Sequence, residues 1–345
     1  MDLEQSILKI IRGERKAPIA SLGLAALSAV YRGCILLRHF AYDRGLFSST
    51  KLPAVVISVG NVTAGGTGKT PLVHLLATAL QDRVRLAILT RGYGSKIERS
   101  SKVQQISDST LVEACGDEPY LLAQKTRAQV WVGADRVRSG QRAIAAGINC
   151  LLLDDGMQHR RLRRDFEIVV VDGNNPFSKG RFLPWGLLRD CPKRLKNADL
   201  IVATHLQDLE HYKTLQDTLA PLSKAPVVGT QVAIVQRHKF TVDKVGVFCG
   251  IGQPAYFLQT VRDLKSEIVD TLIVKDHAAV DLNRLAAFAE KCRLQGAQAL
   301  LCTEKDFVKL PADLSLCLAV LPVEMELKII AGKEHWEHFL NKVNV

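Results

Sequence analysis

Apolar and polar positions along this chain follow two rhythms. Short runs of β-branched and aliphatic residues recur at 55–59, 85–90, 130–132, 150–153, 166–171 and 200–204, and each reads as a buried strand. Between them, residues 72–80, 118–125 and 135–146 carry apolar side chains at helical spacing, the last stretch ending at Gly147. Strands alternating with helices predict a parallel sheet with helices on both faces. Ligands in such sheets gather at the carboxyl ends of the strands. Loops 60–70, 91–94, 154–159 and 172–176 all follow strands and are therefore expected to share one edge.

The pattern changes after the helical stretch that ends at 221–226. Residues 227–236 and 240–242 read as extended segments of a linker. Beyond them come a strand at 245–249, a Gly250-Ile-Gly-Gln-Pro254 turn, helices at 256–264 and 282–295, and a strand at 299–303, which predict a second, smaller α/β domain. At the other end, residues 17–31 are almost uncharged, with Arg12, Arg15 and Lys16 before them and Arg32 after. A spanning helix needs about 20 apolar residues, so this stretch predicts a helix lying on the membrane surface, its cations meeting anionic head groups. The expected organisation is a helical membrane-interface region at 1–45, a main domain at 46–226, a linker at 227–243 and a small domain at 244–345 that closes over the nucleotide.

Composition narrows the class. The 345 residues are 47% hydrophobic and 23% charged, the balance of a folded globular chain. A formal net charge of +11 favours anionic partners. No motif for reading nucleic acid accompanies it, and no obligate protein partner is indicated. The eight cysteines are scattered and never form a C-x-x-C pair, which argues for reduced, buried thiols rather than a disulfide framework or a zinc site.

Two motifs carry chemistry. Thr63, Ala64, Gly65, Gly66, Thr67, Gly68, Lys69 and Thr70 lie between a predicted strand and a predicted helix, as a phosphate-binding loop requires. Glycines let backbone N–H groups wrap an anion, Lys69 reaches the β/γ-phosphates, and Thr70 offers a hydroxyl to Mg²⁺. The general pattern asks for Gly where Thr63 stands. The second motif is Asp154-Asp155 at the end of the 150–153 strand, a Walker B-like position where either carboxylate can serve Mg²⁺. Asp117-Glu118 before Pro119 offers helix-dipole complementation, a metal ligand or a base. Asp276-His277 stands in the second domain, where it can close over the nucleotide. Thr303-Glu-Lys-Asp306 follows a strand as base-reading loops do, but the guanine-specific N-K-x-D order is missing. The basic run from His159 to Arg164 and the segment from Arg181 to Arg189 are candidates for an anionic, acylated substrate.

In order and spacing these motifs resemble the tetraacyldisaccharide 4′-kinase family of lipid A synthesis. The match rests on the 58–71 loop, Arg91-Gly-Tyr-Gly94, Gly116-Asp-Glu-Pro119, Asp154-Asp-Gly-Met-Gln-His159, Gly180-Arg-Phe-Leu-Pro184 with Leu187-Leu-Arg189, Asp276-His277 and Thr303-Glu-Lys-Asp306. The family also carries Thr at the position of Thr63. Met157 and Ala278 depart from its usual Phe and His, and Pro184-Trp-Gly-Leu-Leu-Arg189 departs from its usual substrate-side loop. The resemblance implies a P-loop NTPase-type fold and transfer of the ATP γ-phosphate, with Mg²⁺, to the 4′-hydroxyl of a tetraacylated glucosamine disaccharide 1-phosphate. It implies Asp117 as base with His277 as its partner and Lys69 as the phosphate-holding cation. It assigns Thr70, Glu118, Asp154, Asp155 and Gln158 to the metal, and Arg91, Tyr93, Arg181 and Arg189 to the lipid disaccharide. It also implies a peripheral enzyme on the cytoplasmic face of a bacterial inner membrane. The rival readings are a soluble kinase of a small sugar or nucleoside, and a P-loop GTPase or metallochaperone-like switch.

Overall fold

A computed structural model describes residue 11 and residues 17–235, 242–276 and 280–343. Its main body is a nine-stranded sheet. The strands are β1 (Val55–Asn61), β2 (Leu86–Thr90), β3 (Gln104–Gln105), β4 (Gln129–Val132), β5 (Cys150–Asp154), β6 (Phe166–Asp172), β7 (Leu200–Thr204), β8 (Val227–Ile234) and β13 (Met325–Ala331). Their spatial order is β13-β8-β7-β6-β1-β5-β2-β4-β3. The seven inner strands are parallel, and the edge strands β13 and β3 run antiparallel to their neighbours. Successive residues of β1 and β5 are buried on both faces, as a sheet sandwiched between helices demands.

Before the sheet comes α1 (Pro18–Asp43). One face of the sheet carries α2 (Lys69–Leu80), which buries Leu72, Val73, Leu76, Ala77 and Leu80 against Ile57 and Val59. The same core takes Leu122 of α3 (Asp117–Lys125). The opposite face packs against α4 (Arg136–Ala145) and α5 (Leu209–Leu219), through Ala143 and through Tyr212 and Leu215.

A second sheet, β10-β9-β11-β12, is wholly parallel. It consists of β9 (Lys244–Cys249), β10 (Glu267–Ile273), β11 (Ala299–Thr303) and β12 (Ala319–Val323). Helix α6 (Pro254–Arg262) covers one face with Phe257 and Val261, and α7 (Leu282–Leu294) covers the other with Leu285 and Phe288. The short α8 (Glu304–Phe307) follows β11.

The observed partition differs from the boundaries expected above. Residues 227–234 are not linker but β8, buried in the large sheet. Nor does the small unit run to the end of the chain. β13 pairs with β8, and α9 (Lys333–Lys342) buries Trp336, Phe339 and Leu340 in the core of the large sheet. A single extended run does not reveal which sheet it joins: β8 pairs with β7 on one side and with the sequence-distant β13 on the other. The N-terminal helix is also longer than its uncharged stretch. α1 continues through Arg32, whose guanidinium lies 5.8 Å from the centre of the Phe182 ring, and extends to Asp43. By length and composition alone, this 26-residue helix suffices to cross a membrane.

Candidate active site

The loop between β1 and α2 opens onto a cavity of about 300 Å³, whose far wall comes from the second unit through Gly252, Gln253, Tyr256, Asp276 and Lys305. Gly68 holds a left-handed conformation at φ +83°, and a Cβ there would lie 3.1 Å from Thr204 Cγ2. Glycine is required on both counts. No side chain caps the first turn of α2, so its N–H groups and positive dipole end face the loop. Asn61, the last residue of β1, donates to Thr67 Oγ1 at 2.6 Å and accepts from Lys69 Nζ at 3.3 Å. Thr204 Oγ1 donates to Thr67 O at 2.8 Å. Thr63 is buried in an extended bridge to Leu188, and Ala64 N–H donates to Leu187 O at 2.6 Å. Thr63 therefore needs no positive φ, which explains why the loop does without the expected glycine.

Two carboxylates end β5, and their surroundings push them apart. Asp154 is buried and accepts from Thr90 Oγ1 at 3.2 Å. Burial, reinforced by Glu118 and Asp155, raises its pKa to about 6. Asp155 has φ +54° and accepts two hydrogen bonds from the Arg189 guanidinium, with Lys69 Nζ at 3.8 Å. Burial alone would raise its pKa, but Arg189 and Lys69 outweigh it and hold the value near 2. Arg189 also donates to Asn61 Oδ1. Lys69, Asn61, Asp155 and Arg189 thus form one polar cluster. Burial lowers the pKa of Lys69, and Asp155 opposes that shift.

A second pair of carboxylates opens α3. Asp117 accepts the Glu118 N–H at 2.9 Å, and its other oxygen lies 3.2 Å from Lys309 Nζ and 3.9 Å from Lys305 Nζ. Glu118 accepts from Thr70 Oγ1 at 3.3 Å and from Lys305 Nζ at 2.9 Å. Lys305 also reaches Asp276 at 2.9 Å. The Thr303–Asp306 segment follows β11 and lines the cavity through Thr303, Glu304 and Lys305; Thr303 and Asp306 cap one another's turn, and Lys305 projects into the acidic cluster. On the other flank, Asp172 lies 3.3 Å from His205 Nδ1 and 3.4 Å from Tyr256 Oη, with His205 stacked on Tyr256 at 4.0 Å.

The structure thus brings together the loop from Gly65 to Thr70, Glu118 and Asp276 around one cavity, with Asp117 alongside through Lys305. Arg189 and Asp155 adjoin it through Asn61 and Lys69. Gln158 does not line this cavity, and its amide donates to Asn61 O at 3.0 Å. Arg91, Tyr93 and Arg181 stand outside it on exposed loops, Arg91 paired with Glu98 and Arg181 stacked 4.1 Å over Trp185. His277 lies outside the described residues. Sequence reasoning gave no role to Asn61, Lys305 or Asp172, although each stands in a segment it singled out, and it missed Lys309 and His205. Asn61 and Asp172 end strands and His205 follows one, whereas Lys309 lies beyond α8 with no local signal.

The chain matches the family model described as "Tetraacyldisaccharide-1-P 4'-kinase" over residues 20–344. It is 37% identical to the tetraacyldisaccharide 4′-kinase of Syntrophus aciditrophicus, an alignment covering 94% of each chain. It is also 37% identical to the Chlamydia trachomatis protein of the same name, over 84% of this chain and 79% of that one. Among solved structures it is similar to LpxK from Aquifex aeolicus in complex with ATP, with a TM-score of 0.74 at 26% identity, covering 94% of this chain and 100% of the other. This chain belongs to the tetraacyldisaccharide-1-P 4′-kinase family.

Proposed function

We propose that this protein transfers the γ-phosphoryl group of ATP to the 4′-hydroxyl of a tetraacylated glucosamine disaccharide 1-phosphate. The observation that carries the reading is the single cavity shared by the phosphate loop and by the Glu118 and Asp276 carboxylates, with Asp117 next to Glu118. Phosphoryl transfer needs positioning and charge neutralisation more than covalent help. Lys69 and the uncapped amides of α2 hold the phosphates. Asp117 accepts the proton of the attacking hydroxyl, and His277, next in sequence to Asp276, is its partner. Asp155 and Arg189 fix Lys69 through Asn61 and place a guanidinium beside the incoming sugar. Arg91, Tyr93 and Arg181 line the approach of the lipid.

Thr70, Glu118 and Asp154 supply the hard oxygen donors that suit Mg²⁺. Among the described residues no three His, Cys, Asp or Glu side chains form a ready metal cage. That fits an ion held mainly by phosphates and water. A bound Mg²⁺ would supply charge neutralisation on the phosphates. Asp155 is engaged by Arg189, so Asp154 is the better donor, and Gln158 serves the loop backbone rather than the metal.

The apolar side chains of α1 point outward: Ile19 is 89% exposed, and Leu22, Val30 and Leu37 are each at least 65% exposed. Lipid is the solvent that suits this face, which supports a seat at a membrane; the family resemblance implies that the seat is peripheral, on the cytoplasmic side of the inner membrane. The test is ATP-dependent phosphorylation of purified tetraacyldisaccharide 1-phosphate in detergent, read by mass. Gain of one phosphate is expected. No gain from folded, ATP-binding protein overturns the reading, and equal turnover of a soluble glucosamine disaccharide favours the small-sugar kinase instead.

A further inference from the structure

Helix α1 is built inside out. Across its 26 residues only Ser28, His39 and Ala41 are buried, while most of its large aliphatic side chains face outward, Leu24 and Ile35 being half-buried. Ser28, Tyr31, Arg38 and His39 fall on one stripe of the helix, at spacings of three, seven and one. Each makes a hydrogen bond to a loop that bears a site residue. Ser28 Oγ donates to Phe182 O at 2.8 Å, and Tyr31 Oη donates to Arg189 O at 3.1 Å. Arg38 donates to Gln158 O at 2.6 Å. His39 Nε2 meets Asp190 Oδ1 at 2.7 Å, with Asp190 only 1% exposed.

The partners of His39 assign its tautomer. Arg160 can only donate, and its guanidinium lies 3.3 Å from His39 Nδ1. Nδ1 is therefore the acceptor, and Nε2–H donates to Asp190. The same Asp190 oxygen accepts the Cys191 N–H at 2.7 Å. The N–H groups of Arg189 and Asp190 both donate to Val62 O, directly before the phosphate loop. A path of hydrogen bonds and intervening backbone thus runs from α1 through residues 187–191 to the Arg189 guanidinium, which bonds Asp155 and, through Asn61, reaches Lys69.

We propose that Tyr31 and His39 are positioning residues. They hold the Arg189 segment so that its guanidinium keeps Asp155, Asn61 and Lys69 in register, which makes α1 a strut of the phosphate site as well as a membrane contact. This inference rests on the kinase reading above. A buried donor bonded to a buried carboxylate is costly to lose, because the carboxylate then keeps only the Cys191 N–H on that oxygen.

A double-mutant cycle tests it, read as kcat and KM for MgATP at saturating lipid acceptor, with vesicle sedimentation and the unfolding midpoint as controls. Tyr31→Phe removes one hydroxyl and is expected to cut kcat/KM for MgATP about threefold, and His39→Ala about tenfold, with sedimentation unchanged. His39→Gln, which returns an amide N–H near the Nε2 position, restores most of the loss. If these residues act through Arg189, then His39→Ala combined with Arg189→Ala costs no more than Arg189→Ala alone. Additive losses overturn the strut. So do losses that follow vesicle binding, or an unfolding midpoint that falls with His39→Ala and Tyr31→Phe while kcat/KM per folded enzyme holds. Parent-level activity of Arg189→Ala would instead overturn the reading of the phosphate site on which the strut depends.

Discussion

Two helices of this protein are similarly rich in aliphatic residues and fold in opposite senses. α2 turns Leu72, Val73, Leu76, Ala77 and Leu80 into the core and offers its N-terminus to the ligand. α1 turns Ser28 and His39 inward and leaves Ile19, Leu22, Leu27, Val30 and Leu37 outside. For α2 the apolar solvent is the protein itself, whereas for α1 the proposed apolar solvent is a lipid phase. Burial within the protein therefore cannot be taken as the mark of which residues matter in α1. As proposed, its inward polar groups do the aligning and its outward apolar groups do the seating.

Variants at each helix can break that contrast. The largest effect belongs to Lys69→Ala at the head of α2, expected to lower turnover by about 10³-fold and to weaken ATP binding. Full ATP affinity in that variant would remove Lys69 from the phosphate site. Asp117→Ala, across the cavity, should cut kcat by about 10²–10⁴-fold while ATP still binds. A calorimetric titration showing lost ATP affinity would reassign Asp117 to binding. Leu76→Ala, fully buried in α2, should cost about 2–5 kcal/mol in denaturant unfolding. The matching change on α1, Leu37→Ser, should leave the unfolding midpoint in place and reduce sedimentation with anionic vesicles. If Leu37→Ser destabilises the fold as Leu76→Ala does, the contrast between the helices is wrong.

The smallest effect concerns pH, in the loop where α1 meets the sheet. Burial, reinforced by Arg136, lowers the pKa of His159 from an ordinary 6.5 to about 4. Its Nε2 is buried without a hydrogen-bond partner among the described residues. The unfolded chain takes up this proton first as pH falls, so the contribution is intact above 6.5 and lost toward about 4. His159→Phe should flatten the fall of the unfolding midpoint across that window, and an unchanged slope would assign the acid limb to other groups.

What the sequence revealed was local. The phosphate loop occupies one contiguous strand, turn and helix, and Asp154-Asp155 ends a run of four buried residues. Both were legible because their geometry depends on neighbours a few residues away. The contacts that complete the site are long-range. Lys305 reaches Glu118 across 187 residues, and Arg189 reaches Asn61 across 128. No periodicity encodes such pairs. The inward stripe of α1 was hidden for a different reason. Its aliphatic residues dominate any hydropathy average, and four polar positions on one face do not alter it. The family resemblance supplied the acidic pair at Asp117 and Glu118, which spacing alone left as an ordinary helix start.

The pairing of β8 with β13 has a consequence for how the second unit is attached. Ile234 and Met325 are register partners, and Val235 N–H donates to Glu324 O at 2.9 Å, so the chain leaves and re-enters the large sheet at one point. The unit is thus an insertion whose two connections lie side by side at the β8–β13 pair. The lysines it carries to Asp117 and Glu118 tie it back to the start of α3. A single backbone cut inside the insertion would leave both fragments still stitched to the same sheet.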